Sequence, residues 1–532
     1  MTRKVVIVGG GSAGWMTAAY LTKALGGVEI TLVESPAVPI IGVGEATFST
    51  IKLFFDFLEL DESEWMPACD ATYKLGIKFV NWTGDGSHFF HPFQRYEVVD
   101  GYSLGEWWLK LKSREAPFDY SCFVTPALCN AQRSPRFLDG RVFDHRVQSH
   151  FPRAPESRSS TLFNHRVQYP YAYHFDAALV ARFLRGYAMR RGARQVLDDV
   201  LDVGLREDGS ISHIQTRQHG AIAGDLFVDC TGFRGLLINK ALGEPFVSFS
   251  DSLLCDRAVA LRVPVDTARA GINPFTTATA LSAGWVWNIP LYSRIGTGYV
   301  YCSHFLDKDA AERELRANLG PAAAGCEANH IQMRIGRCRN SWVKNCVAIG
   351  LASGFVEPLE STGIFFIQHG IEELVRCFPA NRPEDEVVRA YNRQVAACID
   401  GVRDFLVIHY RATNRADTEF WKATDHTLLP DGLVERLPLW SKRMPTDRNI
   451  TPHFHGFESY SYSVMLLGLN FRPQDSLPVL EHLDPANALE AFRALRQRAE
   501  RLRRTLPSQY DYLTHVREQQ AETGSEAIAA SG

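Results

Sequence analysis

The stretch Val5-Val6-Ile7-Val8-Gly9-Gly10-Gly11-Ser12-Ala13-Gly14 decides the fold of this 532-residue chain. Four branched apolar residues in a row read as a buried strand. Gly9, Gly11 and Gly14 then satisfy the G-x-G-x-x-G pattern. Trp15, Ala18, Ala19, Leu21 and Leu25 follow at helical spacing. A second strand over 29–33 ends at Glu34, twenty residues after Gly14. Strand, glycine loop, helix, strand and acid together form a dinucleotide fingerprint in its required context. The glycines admit a pyrophosphate to the backbone, and the helix start at Ser12 and Ala13 offers it unpaired N–H groups. Glu34 suits ribose hydroxyls. The expectation is an α/β, Rossmann-like nucleotide-binding fold.

The nucleotide is FAD or NAD(P), and two later segments favour FAD. Leu226-Phe227-Val228-Asp229-Cys230-Thr231-Gly232 is a strand running into a tight turn, and Cys346-Val347-Ala348-Ile349-Gly350 is another strand closed by glycine. Both resemble the strands that return to the FAD site in large flavoproteins, which makes Gly350 a cofactor residue. No second complete fingerprint marks a separate NAD(P)H domain. Helical patterns are expected over 177–191, 363–378, 384–408 and 488–506. The last carries Arg493, Arg496, Arg498, Arg501, Arg503 and Arg504, read as a solvated, ion-paired face. The tail from Gln519 is expected to fray.

Composition excludes several classes. Hydrophobic residues make up 45% and charged residues 22%, a globular balance that rules out disordered, collagen-like and coiled-coil chains. Lys and Arg number 57 against 60 Asp and Glu, so no strong field draws nucleic acid or an anionic membrane. Mean hydropathy is −0.15, and no apolar run approaches a membrane span. The N-terminal apolar run is too short for a signal peptide, so a cytoplasmic protein is expected. Eleven Cys show no CxxC and no metal-ligand spacing, and read as reduced thiols. One oddity is a repeat: Phe143-Asp144-His145-Arg146-Val147-Gln148 recurs as Phe163-Asn164-His165-Arg166-Val167-Gln168. No third ligand accompanies its histidines, so it reads as an inserted loop near 141–170 and not as a metal site.

Three further motifs carry a resemblance. Gly284-Trp285-Val286-Trp287-Asn288-Ile289-Pro290 is W-x-W-x-I-P. Phe355-Val356-Glu357-Pro358-Leu359-Glu360-Ser361-Thr362-Gly363 follows the late strand, and Ala71-Thr72-Tyr73-Lys74 precedes an apolar run. Together with the fingerprint, they resemble the flavin-dependent tryptophan halogenases over nearly the whole chain. In that family reduced FAD and oxygen oxidise chloride or bromide to hypohalous acid, which travels through a tunnel to an aromatic substrate.

The resemblance implies roles residue by residue. Lys74 would be the catalytic lysine, whose ammonium can hydrogen-bond hypohalous acid or whose amine can form a haloamine. Most lysines are solvated surface charges, and Lys78 is the expected control. Glu360 would be the catalytic glutamate, polarising the halogenating species, stabilising the cationic ring or taking its proton; Glu357 is the decoy. Thr362 and Gly363 would hold the halide at a helix start. Trp285 and Trp287 would lie beside the flavin. Gly44, Glu45, Ala46 and Thr47, within Gly42-Val43-Gly44-Glu45-Ala46-Thr47, look like a family cofactor segment. His91 and Phe93 match substrate positions. Reduced flavin would come from a separate flavin reductase, and a homodimer is an open expectation.

The C-terminal segment Phe454-His455-Gly456-Phe457-Glu458-Ser459-Tyr460-Ser461-Tyr462-Ser463 departs from the family pattern. Phe457 stands for a Trp, Ser461 for an Asn, and Tyr462 alone remains of a Tyr pair. The anchors for a free amino acid look lost, so indole or an indole-containing compound is expected in preference to free tryptophan. The alternatives are a tryptophan halogenase proper, a single-component FAD monooxygenase, and a flavin-binding protein without chemistry. The monooxygenase is disfavoured because Gly350 is followed by Leu351-Ala352-Ser353 and not by an acid. Residues 1–400 are expected to form the FAD and halogenation domain, and 401–532 a mostly helical substrate cap.

Overall fold

The computed structural model describes residues 3–38, 44–111, 116–143, 170–379 and 383–531, with side chains up to 522. The fingerprint strand Arg3–Val8 lies inside a six-stranded sheet. Its neighbours are Val28–Glu34 on one side and Leu226–Asp229 on the other, both parallel to it. Arg194–Leu197 and Cys346–Ala348 extend the sheet in parallel, and Trp342–Val343 closes it antiparallel. The two returning strands read from the sequence therefore sit in one sheet with the fingerprint. The helix Ser12–Ala24 packs tightly on this unit: a Cβ on Gly14 would stand 1.9 Å from the Gly9 carbonyl oxygen.

A seven-stranded sheet forms the second layer. Its order is Asn329–Gln332, Arg257–Pro264, Arg294–Tyr301, Gly284–Pro290, Thr276–Leu281, Gly76–Val80 and His88–Pro92. Only the pairing of Thr276–Leu281 with Gly76–Val80 is parallel. The W-x-W-x-I-P motif is thus a central strand. A three-stranded sheet, Glu45–Ala46, Ala172–Phe175 and Thr72–Lys74, lies between the two layers in the chain path and delivers Lys74.

The helices Gly363–Arg376 and Asp385–Arg411 follow the last strands. The expected boundary at residue 400 falls inside the second of these, a single 27-residue helix. Beyond it the described chain is helical to its end. The Arg-rich helix Ala486–Thr505 pairs Arg493 with Glu490, and Arg503 and Arg504 with Glu500. The tail expected to fray continues as the helix Gln509–Ser531, consistent with its strong Ala and Glu helix propensity. All eleven cysteines are free thiols. No described helix is long and apolar enough to cross a membrane. Apart from Phe143, the repeated segment lies outside the described residues, as do Gly42 and Val43.

Candidate active site

A cavity of about 550 Å³ opens over the fingerprint loop. Gly9, Gly11, Ser12, Ala13, Glu34, Gly44, Glu45, Ala46 and Gly350 all line it. Gly14 does not; its part is the close packing under Gly9. Glu34 is oriented by Gln195, whose amide donates to it. Glu45 is half-buried, and desolvation, with the nearby Asp176 charge, pushes its carboxyl up to about 7.

The same cavity is also lined by Trp287, Ser361 and Gly363. The Trp287 Nε1 is buried without a hydrogen-bond partner, as is the Thr362 hydroxyl. Thr362 is the N-cap of the helix Gly363–Arg376, yet its side chain makes no capping bond. Two orphaned polar groups and an uncapped helix start fit a bound flavin and an anion beside it. Trp285 takes a different place. It does not line the cavity; it stacks obliquely on Trp287 at 6.2 Å and donates from Nε1 to Glu357 at 3.1 Å. Glu357 also accepts from the Tyr410 hydroxyl at 2.5 Å. Burial pushes its carboxyl up to about 7, which makes it a support for the tryptophan wall.

Thr47 differs from the rest of its segment in that it is not among the residues lining the cavity: its carbonyl accepts from Lys74 Nζ at 3.0 Å, and its hydroxyl donates to the Tyr173 carbonyl at 2.7 Å. Lys74 is completely buried and also donates to Ser361 Oγ at 2.8 Å. Its Nζ stands 5.2 Å from the centre of the Phe93 ring. Burial drives the ammonium down to about 7, with Glu360 resisting the shift. Lys78, the control, is half-buried and lies over Phe90 and Phe275.

Glu360 ends the short helical turn Pro358–Glu360, and Ser361 follows at φ 63°, in the left-handed region. That turn aims the carboxylate and the hydroxyl into the same enclosure. Both Glu360 oxygens lie 3.0 Å from His91 Nδ1, and Oε1 lies 2.9 Å from His409 Nε2. Burial opposes ionisation, but the two histidines outweigh it and hold the carboxyl at about 2. His91 reaches Glu360 because its strand pairs with Gly76–Val80, Ile77 facing His91. Gly76 permits this approach, since a Cβ there would stand 2.5 Å from the His91 carbonyl oxygen.

An aromatic wall completes the enclosure. Phe48 joins Phe93 at 5.8 Å to Phe457 at 5.3 Å, and Phe457 lies 6.3 Å from His91. Phe457 stacks on Phe405 at 4.0 Å. Tyr462 is one layer further out, behind Phe405, with its hydroxyl 2.8 Å from His455 Nε2. Tyr460 approaches His91 more closely, at 6.2 Å. Beside it, Glu458 forms a two-point ion pair with Arg95. The sequence reading missed Ser361, His409, Tyr460 and the Arg95–Glu458 pair. Only Ser361 had a local signal, its place between Glu360 and Thr362. Among the described residues no cluster of His, Cys, Asp and Glu could hold a metal.

A family model described as tryptophan halogenase matches residues 4–485. The chain belongs to the tryptophan halogenase family. It is 54% identical over 515 residues to the tryptophan 6-halogenase SttH of Streptomyces toxytricini, covering 96% of this chain and 97% of that one. It is 54% identical over 519 residues to the 7-chloro-L-tryptophan 6-halogenase KtzR of Kutzneria sp. (strain 744), covering 96% and 99%. Among solved structures, Tar14, a tryptophan C-6 flavin-dependent chlorinase from taromycin biosynthesis, superposes with a TM-score of 0.91. It is 51% identical, with 97% of this chain and 100% of that one covered. The tryptophan halogenase fold and flavin-dependent halogenation follow; the protein is an enzyme, with FAD and a halide implied by its family.

Proposed function

We propose that this enzyme halogenates free tryptophan at C6. The observation that carries this reading is a fully buried lysine and a carboxylate enclosed with an aromatic wall, in a chain 54% identical to two tryptophan 6-halogenases. The expectation of indole in preference to tryptophan loses its support. It compared side chains at Phe457 and Ser461, whereas the charges that suit a zwitterion stand elsewhere, at Arg95 and Glu458. A free amino acid carries one charge of each sign, and this pair offers the complement of both.

The cavity over Gly9–Ala13 would hold FAD, with Glu34 on the ribose. FAD, supplied reduced by a separate flavin reductase, provides with oxygen the oxidising power that turns halide into hypohalous acid. Thr362 and the Gly363 N–H would seat the halide. Trp287 walls the cavity from the substrate enclosure. Hypohalous acid that reaches Ser361 meets Lys74. Because burial brings Lys74 to about 7, much of it is a neutral amine at neutral pH. The amine lone pair attacks the halogen, forming an N–X bond and releasing water. The ring then attacks that halogen, and the N–X electrons return to nitrogen. Glu360, ionised until then, stabilises the cationic ring and takes its strongly acidic proton, while the nitrogen gains a proton that restores the amine, so that the ring proton is balanced by the one nitrogen takes up. The rings of Phe48, Phe93 and Phe457 fix which carbon faces Lys74.

Incubation of the protein with tryptophan, bromide, FAD, NADH and a flavin reductase tests this reading. Mass spectrometry should show the bromine isotope doublet on tryptophan, and NMR should place the halogen at C6. A gain of one oxygen, or NADH consumption by the protein alone, would overturn it.

A further inference from the structure

His409 lies on the helix Asp385–Arg411, completely buried behind Glu360. Its two ring nitrogens face two acceptors. Nδ1 is 3.0 Å from the carbonyl oxygen of Phe405, and Nε2 is 2.9 Å from Glu360 Oε1. A backbone carbonyl only accepts, and so does an ionised carboxylate. A neutral imidazole has one N–H and could satisfy only one of the two. With Glu360 ionised, both nitrogens must carry protons.

Phe405, Phe79 and Trp82 surround the ring, with centres at 5.2, 5.4 and 6.1 Å, so the carboxylate is its one charged contact. Of the ionisable groups around the pair, His91 from the strand His88–Pro92 touches Glu360 and not His409. Lys74 from the strand Thr72–Lys74 acts on Glu360 through its charge alone, its own bonds going to Thr47 and Ser361. Tyr410 turns to Glu357.

We propose that His409 is a positioning residue that stays doubly protonated as the permanent counter-ion of Glu360, and so frees Lys74 to react as a neutral amine. A buried carboxylate needs a compensating cation. If Lys74 were that cation, its deprotonation would leave Glu360 with its contact to His91 alone, and the amine would be costlier to form. With His409 in place, the lysine gives up its proton without exposing a lone buried charge. The idea rests on Lys74 and Glu360 as the reacting pair of the proposed function, but the charge on His409 is measurable without turnover.

The direct test is NMR of the full-length protein with 15N-labelled histidine, held at about pH 8, well above the ordinary histidine range. The His409 signal, assigned by its loss in His409→Gln, should show two protonated ring nitrogens. In Glu360→Gln it should revert to a neutral imidazole; if His409→Gln does not fold, loss of the signal in His409→Asn supplies the assignment. A neutral His409 in the unmodified protein, or one still doubly protonated in Glu360→Gln, would overturn the proposal. The kinetic arm measures single-turnover halogenation against pH. In His409→Gln only His91 and Lys74 still face Glu360, so Lys74 should hold its proton more tightly and the acid limb should move up by about one pH unit. A loss of rate equal at every pH, with the limb unmoved, would mean a merely structural histidine. Imidazolium signals in a protein that halogenates nothing would instead refute the proposed function and leave the charge assignment standing.

Discussion

Lys74 Nζ donates a 2.8 Å hydrogen bond to Ser361 Oγ, and Ser361 also lines the cavity that begins at Gly9. One hydroxyl thus touches the buried amine and borders the cofactor space. The residue that carries it holds φ 63°, a left-handed conformation uncommon for serine. Strain of this kind persists where the surroundings fix it, here between the turn Pro358–Glu360 and the helix from Gly363. The junction is where a small molecule formed in the cavity would first meet Lys74.

Ser361→Ala should therefore slow halogenation by about ten- to a hundredfold, the loss expected when a reacting group is set free from its orientation. FAD affinity, read by fluorescence quenching, should hardly change, because the pyrophosphate loop is contributed by Gly9–Ala13 and not by this turn. A large loss of FAD binding would place Ser361 in the cofactor site alone.

Lys74 should set the acid side of the pH–rate profile. Its folded value near 7 lies below the ordinary lysine value, so the amine form grows as pH rises through about 7 and the ammonium replaces it as pH falls. Single-turnover rate should rise with pH across that window and then level. Lys74→Ala and Lys74→Arg should both make no product while still binding FAD, the second because a guanidinium stays charged. Measurable turnover in Lys74→Arg would rule out the amine mechanism.

Stability should depend on Glu62, which makes no direct contact with Lys74 or Glu360. Its carboxylate accepts from the hydroxyls of Tyr73 and Tyr173 at 2.6 Å and Tyr171 at 2.9 Å, and from Arg136 at 3.1 Å. Burial opposes its charge, but Arg136 and Lys52 outweigh burial and hold the carboxyl below its usual range. A depressed acid adds stability above its unfolded value, and that share is lost as pH falls through the folded one. Glu62→Gln should cost about 2–3 kcal/mol at neutral pH, less than a fully buried pair because Arg136 is partly exposed. Thermal unfolding should show the gap between the two proteins closing below about pH 4.3, where the unfolded chain takes up the proton. A gap that stays constant with pH would mean that charge is not its source.

How much of this was legible depended on how local each signal was. The strand Arg3–Val8 with its glycine loop, and the returning strands Leu226–Asp229 and Cys346–Ala348, announce themselves within ten residues each. Lys74, Glu360, Thr362 and Gly363 were named from motifs that are contiguous in the chain. The side chains that contact them were not. Ser361 meets Lys74 across 287 positions, and His409 meets Glu360 across 49. No periodicity reports such pairings. Tyr462 was misplaced for the same reason: its position in the segment is visible, but its burial behind Phe405 against His455 is a tertiary fact. Thr47 was read with the cofactor segment, although its carbonyl turns to Lys74. The preference for indole failed because absent amides at expected positions do not show which other charges the fold brings near.

The Arg95–Glu458 pair should decide between tryptophan and simpler indoles. It stands next to Tyr460, which lies 6.2 Å from His91, so it borders the enclosure that holds Lys74 and Glu360. Both side chains are partly exposed, at 31% and 39%, and can open toward a ligand without leaving a buried charge unpaired. A zwitterion would exchange one ion pair for two, its carboxylate on Arg95 and its ammonium on Glu458. Arg95→Ala or Glu458→Gln should raise KM for tryptophan by about ten- to a hundredfold, the worth of one charge-assisted hydrogen bond of about 1.5–3 kcal/mol. Indole, with no charges to place, should be turned over by the variants as it is by the parent. Tryptamine, which keeps only the ammonium, should be sensitive to Glu458→Gln and insensitive to Arg95→Ala, and indole-3-propionate should show the reverse. Steady-state kinetics with these four compounds checks each assignment. An equal loss for all four would mean that the pair shapes the wall and binds neither end of the amino acid.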